Sequence, residues 1–182
     1  MKYFYVISNL SKDYVLDVQD EVQSCLEKRG AECRFLTLAQ HNKYGKHTPS
    51  ELVPEDTECV ITIGGDGTLI QAARDLAGRN IPLLGVNRGH LGFLNQISSQ
   101  DEIEEAIASL IENRFELERR MMIRGTVFHQ GKPVFQDIAL NEIAVPSRVP
   151  LRVLRYQESV NDEYLNHYSA DGVLVATPTG ST

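Results

Sequence analysis

A short apolar run that ends in a cluster of glycines is the feature that most constrains the fold of this chain. Val60–Ile63 is typical of a buried strand, and the glycine-rich segment Gly64–Thr68 (GGDGT) follows it at once. An amphipathic helix comes next and is expected to stop at Gly78. Glycines allow close backbone approach, and their amides and the first turn of a helix direct partial positive charge to one place. The segment therefore predicts a phosphate-binding loop, although neither GxxxxGK[ST] nor GxGxxG after a strand occurs.

The first 115 residues alternate apolar runs with amphipathic helices. We expect strands at 3–7, 34–38, 60–63 and 81–86, and a polar surface loop over 40–57. Gly30 suits the left-handed position after the first helix, and Ser99 with Glu102 predicts a capping box for the last one. This order of elements predicts an α/β domain with a largely parallel sheet covered by helices.

The pattern changes after about residue 115, where strands are expected without helices between them. Strands are expected in segments such as 123–128, 134–140, 151–156 and 173–177. Gln130-Gly131 and Asn161-Asp162 predict hairpin turns. We therefore expect an α/β domain over 1–115 and the first part of an all-β, sandwich-like domain over 116–182. The chain closes on turn-forming residues and is short of strands for a complete sandwich, so we expect a piece of a longer protein.

Charge and composition exclude several classes of partner. The net charge is −7 and no basic block occurs, which argues against nucleic acid. No apolar stretch reaches the ~18 residues of a membrane span, and the first ten residues lack the cleavage site of a secretory signal. Cys25, Cys33 and Cys59 have no metal-ligand spacing, so we expect reduced, buried thiols and a cytoplasmic location.

Asp66 is out of place in a loop that binds anions, because its carboxylate repels phosphate. It makes sense if it binds Mg²⁺ or accepts a proton from a hydroxyl that attacks phosphorus. The alternative is an Asp that caps a helix starting near Thr68. Capping does not need the surrounding glycines, which favours the catalytic interpretation.

Four motifs in order resemble the NAD kinase family, and the match covers nearly the whole chain. They are GGDGT at 64–68, NRGHLGFL at 87–94, Asn141-Glu142, and Asp171-Gly172 running into TPTGST at 177–182. GGDGT alone is also similar to loops of diacylglycerol kinases, sphingosine kinases and phosphofructokinases, so the combination carries the resemblance. The family pattern continues past TPTGST with an Ala-Tyr pair and the rest of the β domain, and this sequence has neither.

The resemblance implies a role for each motif. Asp66 would be the catalytic residue that activates the 2′-hydroxyl of the adenosine ribose of NAD, and the glycine loop would lie against substrate phosphate. The 87–94 loop would line the dinucleotide pocket, and the Asn-Glu pair would hold ribose hydroxyls. The residues implied to bind substrates are Gly64, Gly65, Gly67, Thr68, Asn87, His90, Leu91, Phe93, Asn141, Glu142, Asp171, Thr179 and Thr182.

The implied reaction is ATP-dependent phosphorylation of NAD to NADP. Phe93 would contact the adenine end of the dinucleotide, Thr179 and Thr182 would contact adenine, and Asp171 would contribute from the second domain, across a subunit interface. The implied partners are NAD, ATP and Mg²⁺ or another divalent cation, in a homo-oligomer that is a dimer or tetramer at full length. No nucleic acid or membrane is implied.

Structural explanations compete with these roles. Phe93 could belong to the core, Asn141-Glu142 could form a turn or an exposed edge, and Asp171-Gly172 could be a hairpin turn. TPTGST could be a plain loop, and His90 fits the rim of a pocket better than a general base. For the whole chain, the alternatives are a lipid kinase of the diacylglycerol type, a non-catalytic NAD-binding fragment, and a Rossmann-like scaffold with a structural glycine turn.

Overall fold

A computed structural model describes residues 1–11, 13–36, 41, 43, 47–88, 92–95, 97–147 and 153–180. The chain divides into two compact units, Met1–Glu118 and Arg119–Thr182. The fold is an α/β unit with a parallel sheet, followed by antiparallel strands, which confirms the predicted fold class.

The first unit is built on a four-stranded sheet whose strands are all parallel, in the order β2-β1-β3-β4. The strands are β1 (Tyr3–Ser8), β2 (Glu32–Phe35), β3 (Cys59–Ile63) and β4 (Leu83–Val86). β3 is buried along its whole length. A parallel strand covered on both faces needs apolar side chains on both, which is why β3 is a continuous apolar run.

Helices cover both faces of this sheet. They are α1 (Val15–Lys28), α2 (Asp66–Asp75) and α3 (Gln100–Ile111), and a 3₁₀ turn forms at Ser50–Leu52. α1 and α3 bury an apolar cluster on one face, with Val18 and Ile107 among its members. α2 contributes Ala72 to a separate cluster on the other face. The sheet therefore separates two apolar cores.

Local signals fixed the ends of the helices as predicted. Gly30 follows α1 with φ +72°, and the amides of Gly30 and Ala31 donate to the carbonyls of Glu27 and Leu26. Ser99 and Glu102 form the expected capping box at the start of α3.

Strand boundaries were predicted less well. β2 begins at Glu32 and ends at Phe35, whereas 34–38 was predicted, and Leu38 lies outside the described residues. β4 begins at Leu83, two residues after the predicted start, because Pro82 precedes it with no backbone N–H to donate to a neighbouring strand.

The second unit consists of antiparallel pairs. The strands are β5 (Ile123–His129), β6 (Lys132–Ala139), β7 (Glu142–Pro146), β8 (Leu154–Val160), β9 (Glu163–Ala170) and β10 (Gly172–Ala176). β5 pairs with β6, β8 with β9, and β7 with β10. Both predicted hairpin turns are confirmed, since Gln130-Gly131 and Asn161-Asp162 have positive φ throughout, as a type I′ turn requires.

The cysteines are free thiols, and only two of them are buried. Cys25 and Cys59 are buried, whereas Cys33 is half-buried, so the prediction of buried thiols was wrong for Cys33. Burial raises the pKa of Cys59 to about 12 and that of Cys33 to about 11. Both thiols are therefore protonated near neutral pH.

Candidate active site

The glycine-rich segment lies where the sheet changes its direction of winding. β1 stands between β2 and β3, and the helices that follow β1 and β3 pack on opposite faces. In open α/β sheets this arrangement leaves a crevice at the carboxyl ends of the two strands, where ligands bind. The amide of Asn9 donates to the carbonyl of Ile63 at 2.9 Å, so the ends of β1 and β3 lie side by side.

Gly64 is a position that only glycine fits. Its φ is +151°, and a Cβ on it would lie 2.5 Å from Oγ1 of Thr68. Its amide donates to the carbonyl of Val86 at 2.9 Å. The expectation that all the glycine amides face phosphate is therefore wrong for Gly64, whose N–H holds β3 against β4.

Gly65 and Gly67 have open space beside them. A Cβ on either would meet no atom within 4 Å. Gly65 is the N-cap residue of α2, and Gly67 lies in its first turn and is exposed. Amides at the start of a helix have no acceptor within the helix, so this end of α2 can bind an anion. The half-buried Thr68 donates its amide to the carbonyl of Gly65 at 2.9 Å.

Asp66 is the first residue of α2, and its carboxylate is held by the loop after β4. Oδ2 accepts hydrogen bonds from the amides of Phe93 at 2.8 Å and Leu94 at 3.2 Å. Oδ1 accepts from the amide of Asn95 at 3.1 Å. The helix-capping alternative is wrong, because the N-cap position belongs to Gly65 and the Asp66 oxygens accept from a different segment.

Gly92 allows this loop to reach Asp66. A Cβ on Gly92 would lie 2.0 Å from Oδ1 of Asp66. Any side chain there would separate the Phe93 to Asn95 amides from the carboxylate. Gly92 is thus a structural requirement of the Asp66 site, a role that the motif alone did not reveal.

The start of the same loop is fixed to α1. Asn87 is buried, and its Oδ1 accepts from the hydroxyl of Tyr14 at 2.9 Å, while its amide donates to the carbonyl of Ile97 at 2.8 Å. Arg88 forms a two-point ion pair with Glu21. Asn87 thus takes part in holding the loop. Its neighbours His90 and Leu91, also predicted to bind substrate, lie outside the described residues.

Phe93 projects from the loop, and 62% of its surface is exposed. The alternative that it belongs to the core is therefore wrong. An exposed aromatic ring next to a fixed carboxylate is available to stack against a ligand.

In the second unit, the pairing of β7 with β10 brings two motifs together. Asn141 and Glu142 stand at the start of β7, and the segment that begins at Thr177 follows β10. The amide of Thr177 donates to the carbonyl of Asn141 at 2.7 Å. A Cβ on Gly180 would lie 2.5 Å from that carbonyl and 2.7 Å from Oε2 of Glu142. The plain-loop alternative for TPTGST therefore does not describe its contacts.

Asn141 and Glu142 do not form a polar pair inside a strand. Asn141 lies in the bend between β6 and β7, and Glu142 is the exposed first residue of β7. Within the described part of the chain, Oδ1 of Asn141 is buried and has no hydrogen-bond partner. Such an atom indicates a missing donor, because an unsatisfied buried acceptor costs stability.

The remaining predicted residues of this unit differ in position. Thr179 belongs to the segment after β10 that contacts Asn141. Its Oγ1 accepts a hydrogen bond from Arg120 at 3.2 Å, and its amide donates to Oγ1 of Thr177 at 3.2 Å. Thr182 lies outside the described residues. Asp171 precedes β10, at the opposite end of the β7–β10 pair from Glu142, roughly 17 Å away at the usual rise per residue. It is not a hairpin turn, since β9 and β10 do not pair with each other.

Sequence reasoning missed Asn95, Tyr14 and Thr177. Asn95 and Tyr14 are single residues without a motif, and only their contacts identify them. Thr177 was seen as part of TPTGST, but its Oγ1 donates to the carbonyl of Leu140 at 2.6 Å and so anchors the segment.

Two absences hold for the part of the chain that the structure describes. There, no group of three or more His, Cys, Asp and Glu side chains could hold a metal ion. The described helices are also too short or too polar to cross a membrane.

Known proteins of one family match this chain. A curated NAD kinase from Lachnospira eligens is 43% identical over 184 residues, covering 100% of this chain and 62% of that protein. The chain thus spans less than two thirds of the length of that relative. Among solved structures, yeast NADH kinase complexed with NADH matches with a TM-score of 0.78 at 21% identity. The match covers 100% of this chain and 59% of the yeast chain.

An NAD kinase from Archaeoglobus fulgidus in complex with ATP has a TM-score of 0.72 at 24% identity, with 96% of this chain and 60% of that chain covered. At these identities both structures support the fold alone. Residues 5–115 match the family profile described as the ATP-NAD kinase N-terminal domain. Together with the Lachnospira relative, this match shows that the chain belongs to the NAD kinase family.

Proposed function

We propose that the protein transfers the γ-phosphoryl group of ATP to the 2′-hydroxyl of the adenosine ribose of NAD, giving NADP. One observation carries the proposal in a chain of this family: a half-buried carboxylate, Asp66, is fixed beside the open glycines of a loop at the switch point of the sheet. Phosphoryl transfer depends mainly on positioning and electrostatics, and both are provided for here.

Asp66 is proposed as the general base. A carboxylate offers about four acceptor positions, and three amide hydrogen bonds occupy all but about one of them. The remaining position can accept the proton of the ribose hydroxyl. The hydroxyl oxygen then bonds to the γ-phosphorus while the bond to the bridging oxygen of ADP breaks.

The start of α2 is proposed to bind the phosphates. Gly65 and Gly67 have free space for a phosphate oxygen to approach, and the helix dipole adds to the attraction. Thr68 is proposed to contribute from the same turn. Gly64 would act by shaping the loop, since its amide is already bonded to Val86.

In the second unit, the nucleoside is proposed to bind at Asn141 and Glu142. The unpartnered Oδ1 of Asn141 and the exposed carboxylate of Glu142 are both acceptors, which suits the two hydroxyls of a ribose. Thr179 and Thr182 are proposed as contacts to adenine. Phe93, Asn87, His90 and Leu91 are proposed as further contacts to the dinucleotide, and Asp171 is proposed to contribute from a neighbouring subunit.

Mg²⁺ is proposed to enter as part of the substrate MgATP. The described residues offer no cluster of ligands for it, and Mg²⁺ commonly binds through substrate phosphates with few protein ligands. We further propose a homo-oligomer, supported by the many exposed apolar side chains of the second unit, and a cytoplasmic location, supported by the free cysteines.

The test is an assay of this chain with MgATP and either NAD or diacylglycerol. NADP formation, read through an NADP-specific dehydrogenase, is expected, with no phosphorylated lipid. The NAD kinase relatives do not favour the lipid kinase or the binding fragment. Phosphorylated lipid would establish the lipid kinase. Binding of NAD in a calorimetric titration, with no NADP formed in the assay, would establish the binding fragment. Either result would contradict the proposal.

A further inference from the structure

Asn95 joins the two elements of the Asp66 site. Its backbone amide donates to Oδ1 of Asp66 at 3.1 Å, and its side-chain Nδ2 donates to the carbonyl of Gly64 at 3.0 Å. The side chain is 1% exposed, so water does not compete for these bonds. One residue thus connects the glycine loop after β3 to the amides that hold the carboxylate.

The space for the Asn95 side chain is provided by β4. A Cβ on Gly85 would lie 1.6 Å from Oδ1 and 2.7 Å from Cγ of Asn95, whereas the nearest atom of another residue, Cδ2 of Leu69, is at an ordinary contact distance of 3.4 Å. Gly85 is therefore a glycine because Asn95 lies against it. The carboxamide cannot move toward β4, and its bond to Gly64 prevents it from turning away.

The same side chain also has one polar atom whose burial lowers the stability of the fold. Within the described residues, its Oδ1 is buried without a hydrogen-bond partner. A buried acceptor without a donor destabilises a fold, and an apolar group of the same shape would avoid that penalty. An apolar group would, however, leave the carbonyl of Gly64 without its donor, so the Nδ2 bond that joins the two loops is what accounts for Asn at this position.

We propose that Asn95 is a positioning residue, which holds the amides of Phe93, Leu94 and Asn95 on the Asp66 carboxylate at a set distance from the glycine loop. The consequence for turnover rests on the proposed function. Without Asn95 the loop separates from Gly64, the carboxylate loses its fixed orientation, and proton acceptance from the ribose hydroxyl slows. Substrate binding is expected to be little affected, because the Asn95 side chain is buried and bonds to the main chain of Gly64.

The first test uses no substrate and measures amide hydrogen exchange in this chain. Asn95→Ala, the isosteric Asn95→Asp and Gly85→Ala should each lose protection at the amides of residues 93–95 by about tenfold or more, the value of a hydrogen bond to a charged group. Protection of Ile61 in β3 should stay within about twofold, because all three substitutions change side chains and leave the backbone hydrogen bonds of the sheet in place.

A double-mutant cycle makes the test specific. Gly85→Ala should have little further effect in the Asn95→Ala background, because the atom that the new Cβ meets has been removed. Ile107→Val is the matched control, since it removes a buried methylene from α3 and leaves the loop bonds intact. Fully additive effects, unchanged protection at residues 93–95, or equal loss at Ile61 would each overturn the proposal.

The second test separates this proposal from the proposed function. If the chain makes NADP, Asn95→Ala and Asn95→Asp should lower kcat about tenfold or more with KM for NAD within about twofold, the pattern of an interaction that acts in the transition state. A raised KM with unchanged kcat would overturn the positioning role. If the unaltered chain makes no NADP, the proposed function fails, and hydrogen exchange still decides whether Asn95 holds the loop.

Discussion

The two units of this chain bury their apolar side chains to very different degrees. In Met1–Glu118, strands and helices enclose two clusters in which residues such as Val18 and Ile61 are fully buried. Among the described residues of the second unit, Leu140 is the only buried apolar side chain, whereas Val127, Phe135 and others are more than half exposed. One unit supplies its own core, and the other presents paired strands with little packed on them.

The difference follows from how each unit joins its strands. Parallel strands need crossover connections, and the crossover helices α1 and α2 cover both faces of the sheet. Antiparallel hairpins need only short turns, such as Gln130-Gly131, and these bring no layer of their own. The fixed carboxylate of Asp66 therefore lies in the unit that has a rigid core to support it.

The largest expected effect is a loss of turnover on substitution of a carboxylate in the first unit but not in the second. Asp66→Asn should lower turnover by about 10²- to 10⁴-fold, the usual contribution of a general base, while NAD binding stays largely intact. Asp162→Asn is the matched control, because it makes the same change at the exposed hairpin tip of the second unit, where Asn also tolerates positive φ. Steady-state kinetics of NADP formation and calorimetry measure both quantities. Equal turnover in the two variants would remove Asp66 from the catalytic role.

The next effect compares the units by stability. Ile61→Ala should lower the free energy of unfolding by about 2–5 kcal/mol, because it leaves a cavity in β3. Val127→Ala, in a half-exposed position of β5, should cost no more than about 0.5 kcal/mol. Urea unfolding of both variants gives the two values. Similar costs would mean that the second unit has a core comparable to the first.

A smaller effect is expected at the start of α3. Ser99→Ala removes the acceptor for the amide of Glu102 and should cost about 1 kcal/mol. The described α-helices all lie in the first unit, so thermal melting followed by helical circular dichroism reports on that unit. Ser159→Ala, at an exposed strand position of the second unit, is the control. An unchanged melting temperature in Ser99→Ala would show that the capping box contributes no stability.

The smallest effect concerns pH. Hydrogen bonds from the amides of Ser98 and Ser99 lower the pKa of Glu102 from its ordinary 4.5 to about 2. The ionised capping box therefore supports α3 above about pH 4.5, and this support is lost as the pH falls from 4.5 toward 2. Amide shifts of Ser99 and Glu102 in an NMR titration of the folded chain should change with a midpoint near pH 2, and Glu102→Gln should abolish that change. A transition centred at 4.5 would contradict the hydrogen bonds.

The sequence predicted the elements of the first unit better than the contacts of its site. The helical spacing of apolar residues and the capping box identified α3, and the continuous apolar run identified β3. These signals come from residues close together in the chain. The use of the Gly64 amide and the partners of Asp66 were not predicted, since they depend on the neighbouring β4 and on the loop after it. In the second unit, both hairpin turns were predicted, but the pairing of β7 with β10 was not.

By itself, the sequence determined the two-part organisation of strands and helices, the glycine loop between β3 and α2, and the family resemblance carried by its motifs. Those features are local, so spacing and residue type suffice to state them. Only the tertiary structure decided that the amides after Gly92 hold Asp66 and that Asn95 fits against Gly85. It also decided that Asp171 and Glu142 lie at opposite ends of the β7–β10 pair. These relations join residues distant in the chain, and their geometry is set by the packing of parallel strands and by strand pairing, which no local pattern encodes.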